Sequence, residues 1–183
     1  MEIIIDEEFS ELIPDLTDDE YKGLEESIKS EGCRDALVVW GNILIDGHNR
    51  YKICNKNKID FKTIKKEFKD RFEAKEWIIK NQKNRRNLTT EQKYILIAKL
   101  SELYENPTGA DHKSKEYQDL VSKSGFKDVI EKTSEVFGVS KSVVDAARKY
   151  AKIIEENPEL KESSKKGEKK NVSVVINDFK KKK

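Results

Sequence analysis

The sequence is poor in the residues that build metal sites and disulfide frameworks. It contains two cysteines and two histidines among 183 residues, and their spacing does not suit a zinc site. We therefore expect Cys33 and Cys54 to be reduced thiols and expect no resident metal site. No apolar run approaches the roughly 20 residues of a membrane-spanning helix, and the amino terminus lacks the pattern of a secretory signal. These absences predict an unexported, cytoplasmic protein with no membrane partner.

Apolar residues are also scarce, at 36% against 39% charged residues. This balance favours two small domains with local cores over one thick core. The net charge of +2 conceals a gradient, because Lys22 is the only basic residue in residues 1–26 whereas lysines dominate residues 161–183. Such a gradient suits a polyanion at the basic end and a partner protein at the acidic end. A terminal lysine cluster is, however, often only a solvated tail.

Residues 1–88 combine strand and helix patterns. The apolar runs 36–40 and 43–45 flank Gly41-Asn42, a dipeptide that favours a tight hairpin. Residues 3–5 form a short β-prone run, and alternating apolar residues over 61–68 predict another strand. Together with the helix-capping patterns between these runs, this predicts an α+β domain over residues 1–88.

From Thr89 onward the strand patterns disappear. A capping box opens one helix at Thr89, and two further helices are predicted over residues 128–137 and 141–156. We therefore predict an all-α domain over residues 89–160. A basic tail follows at 161–183, in which Ser173 could cap a short helix.

The two helices around Gly138 have the pattern of a helix-turn-helix unit. Their apolar residues are spaced to bury the inner faces of the pair. This packing would direct six polar residues of the second helix toward base edges and phosphates: Lys141, Ser142, Asp145, Arg148, Lys149 and Lys152. The alternative is a helical hairpin with a solvated face. The Asp145 carboxylate would repel the DNA backbone unless it accepts from a cytosine amino group.

A glycine stands where the strand over 43–45 meets the next helix. Gly47 would let an anion approach the helix amino terminus, where unpaired N–H groups and the dipole attract negative charge. Arg50, in the first turn, can bind phosphate oxygens through two N–H groups. The alternative is an ordinary helix start capped by Asp46. Either interpretation is open on this feature alone.

A second basic cluster, residues 81–88, lies immediately before the helix cap at Thr89. Its Arg85 and Arg86 would complete a pocket for a phosphate-bearing ligand together with Gly47 and Arg50. They could instead be exposed linker residues.

Three sequence boxes in this order resemble the ParB/sulfiredoxin superfamily, and in particular ParB-like proteins of plasmids, phages and chromosomes. The boxes are 32–39, 46–51 and 81–88, and with the helix-turn-helix pattern the resemblance covers residues 1 to about 156. It implies a small mixed-sheet nucleotide-binding domain joined to an all-α helix-turn-helix domain. It also implies a homodimer on double-stranded DNA, with clamp closure linked to cytidine triphosphate and magnesium. The nucleotide-binding residues implied are Gly32, Arg34, Gly47, His48, Asn49, Arg50, Asn81, Gln82, Arg85 and Arg86.

The sequence differs from the superfamily patterns at several positions of the three boxes, including positions that bear on catalysis and metal binding. Ala36 stands where the first box commonly has a proline. His48 stands where a sulfiredoxin-like reductase needs a cysteine, which excludes that activity. Asn81 replaces a glutamate and cannot supply the charge that holds magnesium well, so we expect nucleotide binding with weak or absent hydrolysis and assign no catalytic residue.

The predicted function is nucleotide-regulated DNA binding, at the nucleoid, in partition or transcription control of a mobile element. One alternative is a nucleotide-dependent small-molecule kinase or phosphatase that uses His48 as a base. Another is a non-catalytic adaptor. A nuclease is disfavoured because its two-metal centre needs clustered carboxylates near the boxes.

Overall fold

A computed structural model describes residues 2–85, 88–107, 126–158, 160 and 172–181. The chain forms two compact units, Met1–Lys69 and Asp70–Lys183. The division expected from the sequence, after residue 88, falls later in the chain. In the part of the chain that is described, no helix is both long and apolar enough to cross a bilayer.

The first unit holds a three-stranded mixed sheet and three helices. Its elements are α1 (Glu7–Ser10), α2 (Asp18–Glu31), β1 (Leu37–Trp40), β2 (Ile43–Asp46), α3 (His48–Asn57) and β3 (Thr63–Lys65). The strand order is β2-β1-β3, with β2 antiparallel and β3 parallel to the central β1. The predicted α+β fold with a small mixed sheet is confirmed.

Local sequence signals set several boundaries of this unit. Gly41 adopts a φ of 60° and starts the two-residue turn between β1 and β2, as the Gly41-Asn42 pair predicts. Helix α2 begins with a capping box, in which the Glu20 N–H donates to Thr17 Oγ1 at 3.3 Å and the Thr17 N–H donates to the Glu20 carboxylate at 2.8 Å. A cap of this kind contributes about 1 kcal/mol to helix stability.

Two of the strands expected from the sequence are shorter than their patterns suggest. Of the residues 61–68, only those of β3 are in a strand. The aromatic residues at the two ends of this segment lie outside the strand and pack against other aromatic side chains. Phe61 makes an edge-on contact with Tyr51, and Phe68 makes one with Trp40. The β-prone run at residues 3–5 contributes only an isolated parallel bridge between Ile4 and Ile43.

Two small clusters of the first unit's core pack against α3. One joins the sheet to α3 through the buried Leu37, Val39 and Leu44, with Tyr51 packed against them. The other joins α3 to α2 through the buried Ile28, Ile53 and Cys54. The backbone of α3 is therefore held from two directions, which fixes the position of its amino terminus.

All the regular elements that the structure describes in the second unit are helices. Its elements are α4 (Arg71–Lys83), α5 (Thr90–Glu105), α6 (Phe126–Phe137), α7 (Lys141–Glu156) and α8 (Val172–Lys181). Helix α5 is central and packs against α4, α6 and α7. Its fully buried residues include Leu96, Ile97 and Leu100. Because α4 packs on α5, it belongs with the helical unit.

Helix α8 packs against α7 and lies in the segment expected to be a basic tail. Its Val172, Val175 and Ile176 form a buried cluster with Tyr150 of α7. The helix begins at Val172, so Ser173 lies inside the first turn rather than capping it from outside.

Candidate functional site

The glycine corner, residues 46–50, lies where β2 meets α3. Gly47 is the N-cap of α3, with a φ of 94°, and its carbonyl accepts the Tyr51 N–H at 2.8 Å. Among the described residues, no side chain caps this helix, so the interpretation of Asp46 as the N-cap is wrong. The first turn consists of His48, Asn49 and Arg50 and carries no acid. This helix start therefore favours a negative charge.

The fold itself requires a glycine at this corner. A Cβ on Gly47 would lie 2.5 Å from Leu37 Cδ2, far inside van der Waals contact, and Leu37 is fully buried. The φ of 94° is also a backbone region that side chains disfavour. Gly47 is thus explained by packing against β1 whether or not a ligand binds.

Arg50 is held inside the first unit rather than projecting into solvent. Its Nη2 donates to the Asp46 carboxylate at 3.1 Å and to the carbonyl oxygen of Ala36 at 3.4 Å. The side chain is 20% exposed, and among the described residues its buried Nε has no hydrogen-bond acceptor. A phosphate bound by Arg50 would have to replace or share the Asp46 carboxylate.

The other two side chains of the first turn differ in accessibility. His48 is 5% exposed, whereas Asn49 is half-exposed. Burial of the His48 ring against the fold does not favour its use as a base by an external substrate.

The first and second sequence boxes come together along α3. Gly32 ends α2 with a φ of 76°, and the chain after it runs past α3 so that Ala36 meets Arg50 and Cys33 packs near Cys54. Arg34 in this segment is exposed and forms an ion pair with Glu31 at 2.9 Å. The structure therefore places an accessible arginine in the segment that contacts the corner helix.

The third box belongs to the second unit. Asn81 and Gln82 lie in the last turn of α4, where their carbonyls accept the N–H groups of Asn84 at 3.2 Å and Arg85 at 3.0 Å. The Gln82 side chain is fully buried, and Arg85 is half-buried. Arg86 lies outside the described residues. A pocket shared between this box and the glycine corner stays a prediction.

Helices α6 and α7 form the pair that the sequence predicts around Gly138. Gly138 adopts a φ of 63°, and the turn is closed by a hydrogen bond from the Val139 N–H to the Ser134 carbonyl at 3.0 Å. Phe137, Val144 and Ala147 are buried on the inner faces. The glycine therefore allows a sharp reversal with apolar residues on its inside.

The outer surface of α7 carries a set of exposed polar residues that we name the lysine face: Lys141, Ser142, Lys149 and Lys152. Asp145 lies within this face and is half-exposed. Lys141 forms an ion pair with Glu131 of α6 at 3.1 Å. The lysine face is solvent-accessible, as an interface with a polyanion requires.

Arg148 has a different role from its neighbours on α7. Its guanidinium donates to Ser101 Oγ at 2.6 Å and to the Glu105 carboxylate at 2.7 Å, and both acceptors lie on α5. These hydrogen bonds fasten α7 to the central helix. The sequence could not reveal this contact, because it depends on how α7 packs against a helix more than forty residues earlier.

A second contact that the sequence does not reveal involves Lys83. Its ammonium donates to the carbonyl of Val136 at the end of α6 and lies over the ring of Phe137, 5.9 Å from the centroid. A cation is favourable at a helix carboxyl end. Lys83 therefore joins α4 to the helix that leads into the Gly138 turn.

The described part of the chain holds no group of three or more His, Cys, Asp or Glu side chains that could bind a metal ion.

Two buried tyrosines of the helical unit have raised pKa values. Burial and, to a lesser extent, the Glu91 carboxylate raise the pKa of Tyr150 to about 12. Burial and the hydrogen bond to Glu76 raise that of Tyr104 further. Both phenols are neutral parts of the helical core.

Comparison with known proteins identifies the fold. No protein-family model matches the sequence, and no curated protein matches it. Among solved structures, the chain is similar to a Pnob8-like ParB-N domain in a C2221 crystal form, with a TM-score of 0.62 and 20% sequence identity. The match covers 98% of this chain and 76% of that chain. The chain therefore has a ParB-like fold, as the three boxes predict.

Proposed function

We propose that the chain is a ParB-like DNA-binding protein in which a nucleoside triphosphate at the glycine corner regulates how the lysine face engages double-stranded DNA. The observation that carries this proposal is the structural similarity to a ParB-N domain over 98% of the chain, because it includes both the corner and the helical unit. The resemblance favours cytidine triphosphate as the nucleotide and a homodimer as the active form. Partition or transcription control of a mobile element is the role that follows.

The lysine face supports the DNA-binding half of the proposal. Lys149 and Lys152 are exposed and lie one turn apart on α7. Lysines in this position can neutralise backbone phosphates, while the residues at the start of α7 reach base edges. Arg148 is less suited to this role because it holds α5.

Removal of charge from the lysine face tests this half. Lys149→Ala/Lys152→Ala should weaken binding to duplex DNA, measured by fluorescence anisotropy over a salt series, and lower the salt slope by about 2 if each lysine neutralises one phosphate. Lys62→Ala/Lys65→Ala is the matched control, since these lysines are exposed in the first unit and the change in net charge is the same. Equal losses in the two double variants would refute a specific role for the lysine face.

The nucleotide-binding half is supported by the start of α3. The uncapped first turn, the absence of an acid within it and the adjacent Arg50 fit a phosphate group. Binding would require Arg50 to share its guanidinium between Asp46 and the phosphate. A bound triphosphate would supply the charge that draws Arg50 away from Asp46, while the Asn49 side chain is accessible beside it.

Titration calorimetry with each of the four nucleoside triphosphates tests this half. Wild-type protein should release or absorb heat with cytidine triphosphate, and Arg50→Ala should abolish that signal. Lys52→Ala, which removes an exposed charge from the same helix, should leave it unchanged. Circular dichroism spectra of both variants verify that α3 remains folded. Phosphate release from a small-molecule phosphate donor without DNA would instead favour the kinase or phosphatase alternative.

A further inference from the structure

The two cysteines of the chain meet inside the first unit. Cys33 directly follows the end of α2 at Gly32, and Cys54 lies in the second half of α3. Cys54 belongs to the buried cluster of Ile28, Ile53 and Cys54, and Cys33 packs against this cluster. Both are reduced thiols. The fold therefore brings together two sulfurs that are far apart in sequence.

The two thiols differ in their access to solvent. Cys33 is half-buried, and its thiol donates to the Asp35 carbonyl at 3.4 Å. Cys54 is fully buried, and burial, followed by the influence of the nearby Cys33 thiol, raises the pKa of its thiol to about 11. A small oxidant from solvent would therefore meet Cys33 first. Cys54 is placed to attack the sulfur of Cys33 afterwards.

We propose that Cys33 and Cys54 form an intramolecular disulfide when the protein meets a hydroperoxide. With hydrogen peroxide, the Cys33 thiolate attacks one peroxide oxygen and becomes a sulfenic acid, while the other oxygen leaves as hydroxide and is protonated to water. The Cys54 sulfur then attacks the Cys33 sulfur and displaces its hydroxyl group, which leaves as a second water with the Cys54 proton. Two thiols are oxidised to one disulfide, and one hydroperoxide is reduced.

This disulfide would close a loop of the chain that contains the glycine corner. The loop between the two cysteines contains the β1–β2 hairpin and the whole glycine corner, and Cys54 follows Arg50 by one turn of α3. Closing such a loop restricts the unfolded chain and so stabilises the folded state. The oxidised first unit should therefore resist denaturation better than the reduced one. This expectation is independent of whether a nucleotide binds at the corner.

Oxidation of the full chain tests the proposal. After treatment with hydrogen peroxide and quenching, mass spectrometry of the denatured protein should show the loss of two hydrogen atoms and no maleimide labelling. Proteolysis should yield one linked peptide pair that contains Cys33 and Cys54, and dithiothreitol should reverse both changes. The urea midpoint of the first unit should rise on oxidation.

Two variants identify the order of the steps. Cys54→Ser should accumulate a dimedone-reactive sulfenic acid on Cys33, whereas Cys33→Ser should leave Cys54 unmodified at the same peroxide dose. Cys33→Ser replaces a half-buried residue, so its result stands even if the buried variant fails to fold. Over-oxidation of Cys33 with Cys54 still free, or disulfides only between chains, would overturn the proposal.

Discussion

Gly47→Ala measures how tightly the corner packs against the sheet. The new residue would have to adopt a φ of 94°, which costs about 1–2 kcal/mol for a residue with a Cβ. Its Cβ would also lie 2.5 Å from Leu37 Cδ2, and Leu37 is fully buried and has little room to move. Overpacking of this kind costs about 1–3 kcal/mol. We expect the variant to lose roughly 2–5 kcal/mol of unfolding free energy.

Gly41→Ala is the matched control because it isolates the backbone contribution. Gly41 has a φ of 60°, and a Cβ there meets no described atom within 4 Å. Urea unfolding followed by Trp40 fluorescence, in a Trp77→Phe background, reports on the first unit alone. Gly47→Ala should be the more destabilising variant by about 1–3 kcal/mol. Equal losses, within about 0.5 kcal/mol, would show that the Leu37 contact does not constrain the corner.

A double-variant cycle provides a second check on the same contact. Leu37→Ala alone should cost about 2–5 kcal/mol, since it leaves a cavity in the core. It also removes the methyl group that the Gly47→Ala side chain would strike. The double variant should therefore lose less stability than the sum of the two single losses.

Three further predictions concern stability. The hydrogen bond from Asn57, with two lysine ion pairs, lowers the pKa of Glu25 from 4.5 to about 2, so its stabilisation is complete above pH 4.5 and is lost as the pH falls toward 2. Glu25→Gln should flatten the urea stability profile across that interval. Arg148→Ala should lower the melting temperature of the helical unit, because its two hydrogen bonds to α5 are lost. Thr89→Ala should cost about 1 kcal/mol in urea through loss of the capping box, and Thr90→Ala, at an exposed helical position, much less.

Features determined by neighbouring residues were predictable from the sequence. The capping box at Thr89, the turn at Gly41 and the turn at Gly138 all lie where the sequence predicts them. Each of these depends on hydrogen bonds or φ angles within a few residues. The ParB-like fold was also predictable, because the three boxes and their order can be read directly from the sequence.

Features that depend on packing between distant segments were not predictable. The pairing of Arg148 with Ser101 and the contact of Cys33 with Cys54 require the tertiary structure. The spacing of Asp46 and Arg50 is compatible with an i, i+4 ion pair, but it fits an N-cap interpretation of Asp46 equally well. Only the backbone at Gly47 distinguishes the two, because it shows that the helix begins one residue later.

The most direct test of the central claim is the effect of nucleotide on DNA affinity. A duplex obtained by selection should be titrated at fixed salt with and without each nucleoside triphosphate. Cytidine triphosphate should change the affinity by at least about fivefold, the lower range of coupling between linked sites. Arg50→Ala should remove this change and preserve the nucleotide-free affinity. A DNA affinity that no triphosphate alters would contradict nucleotide regulation of DNA binding.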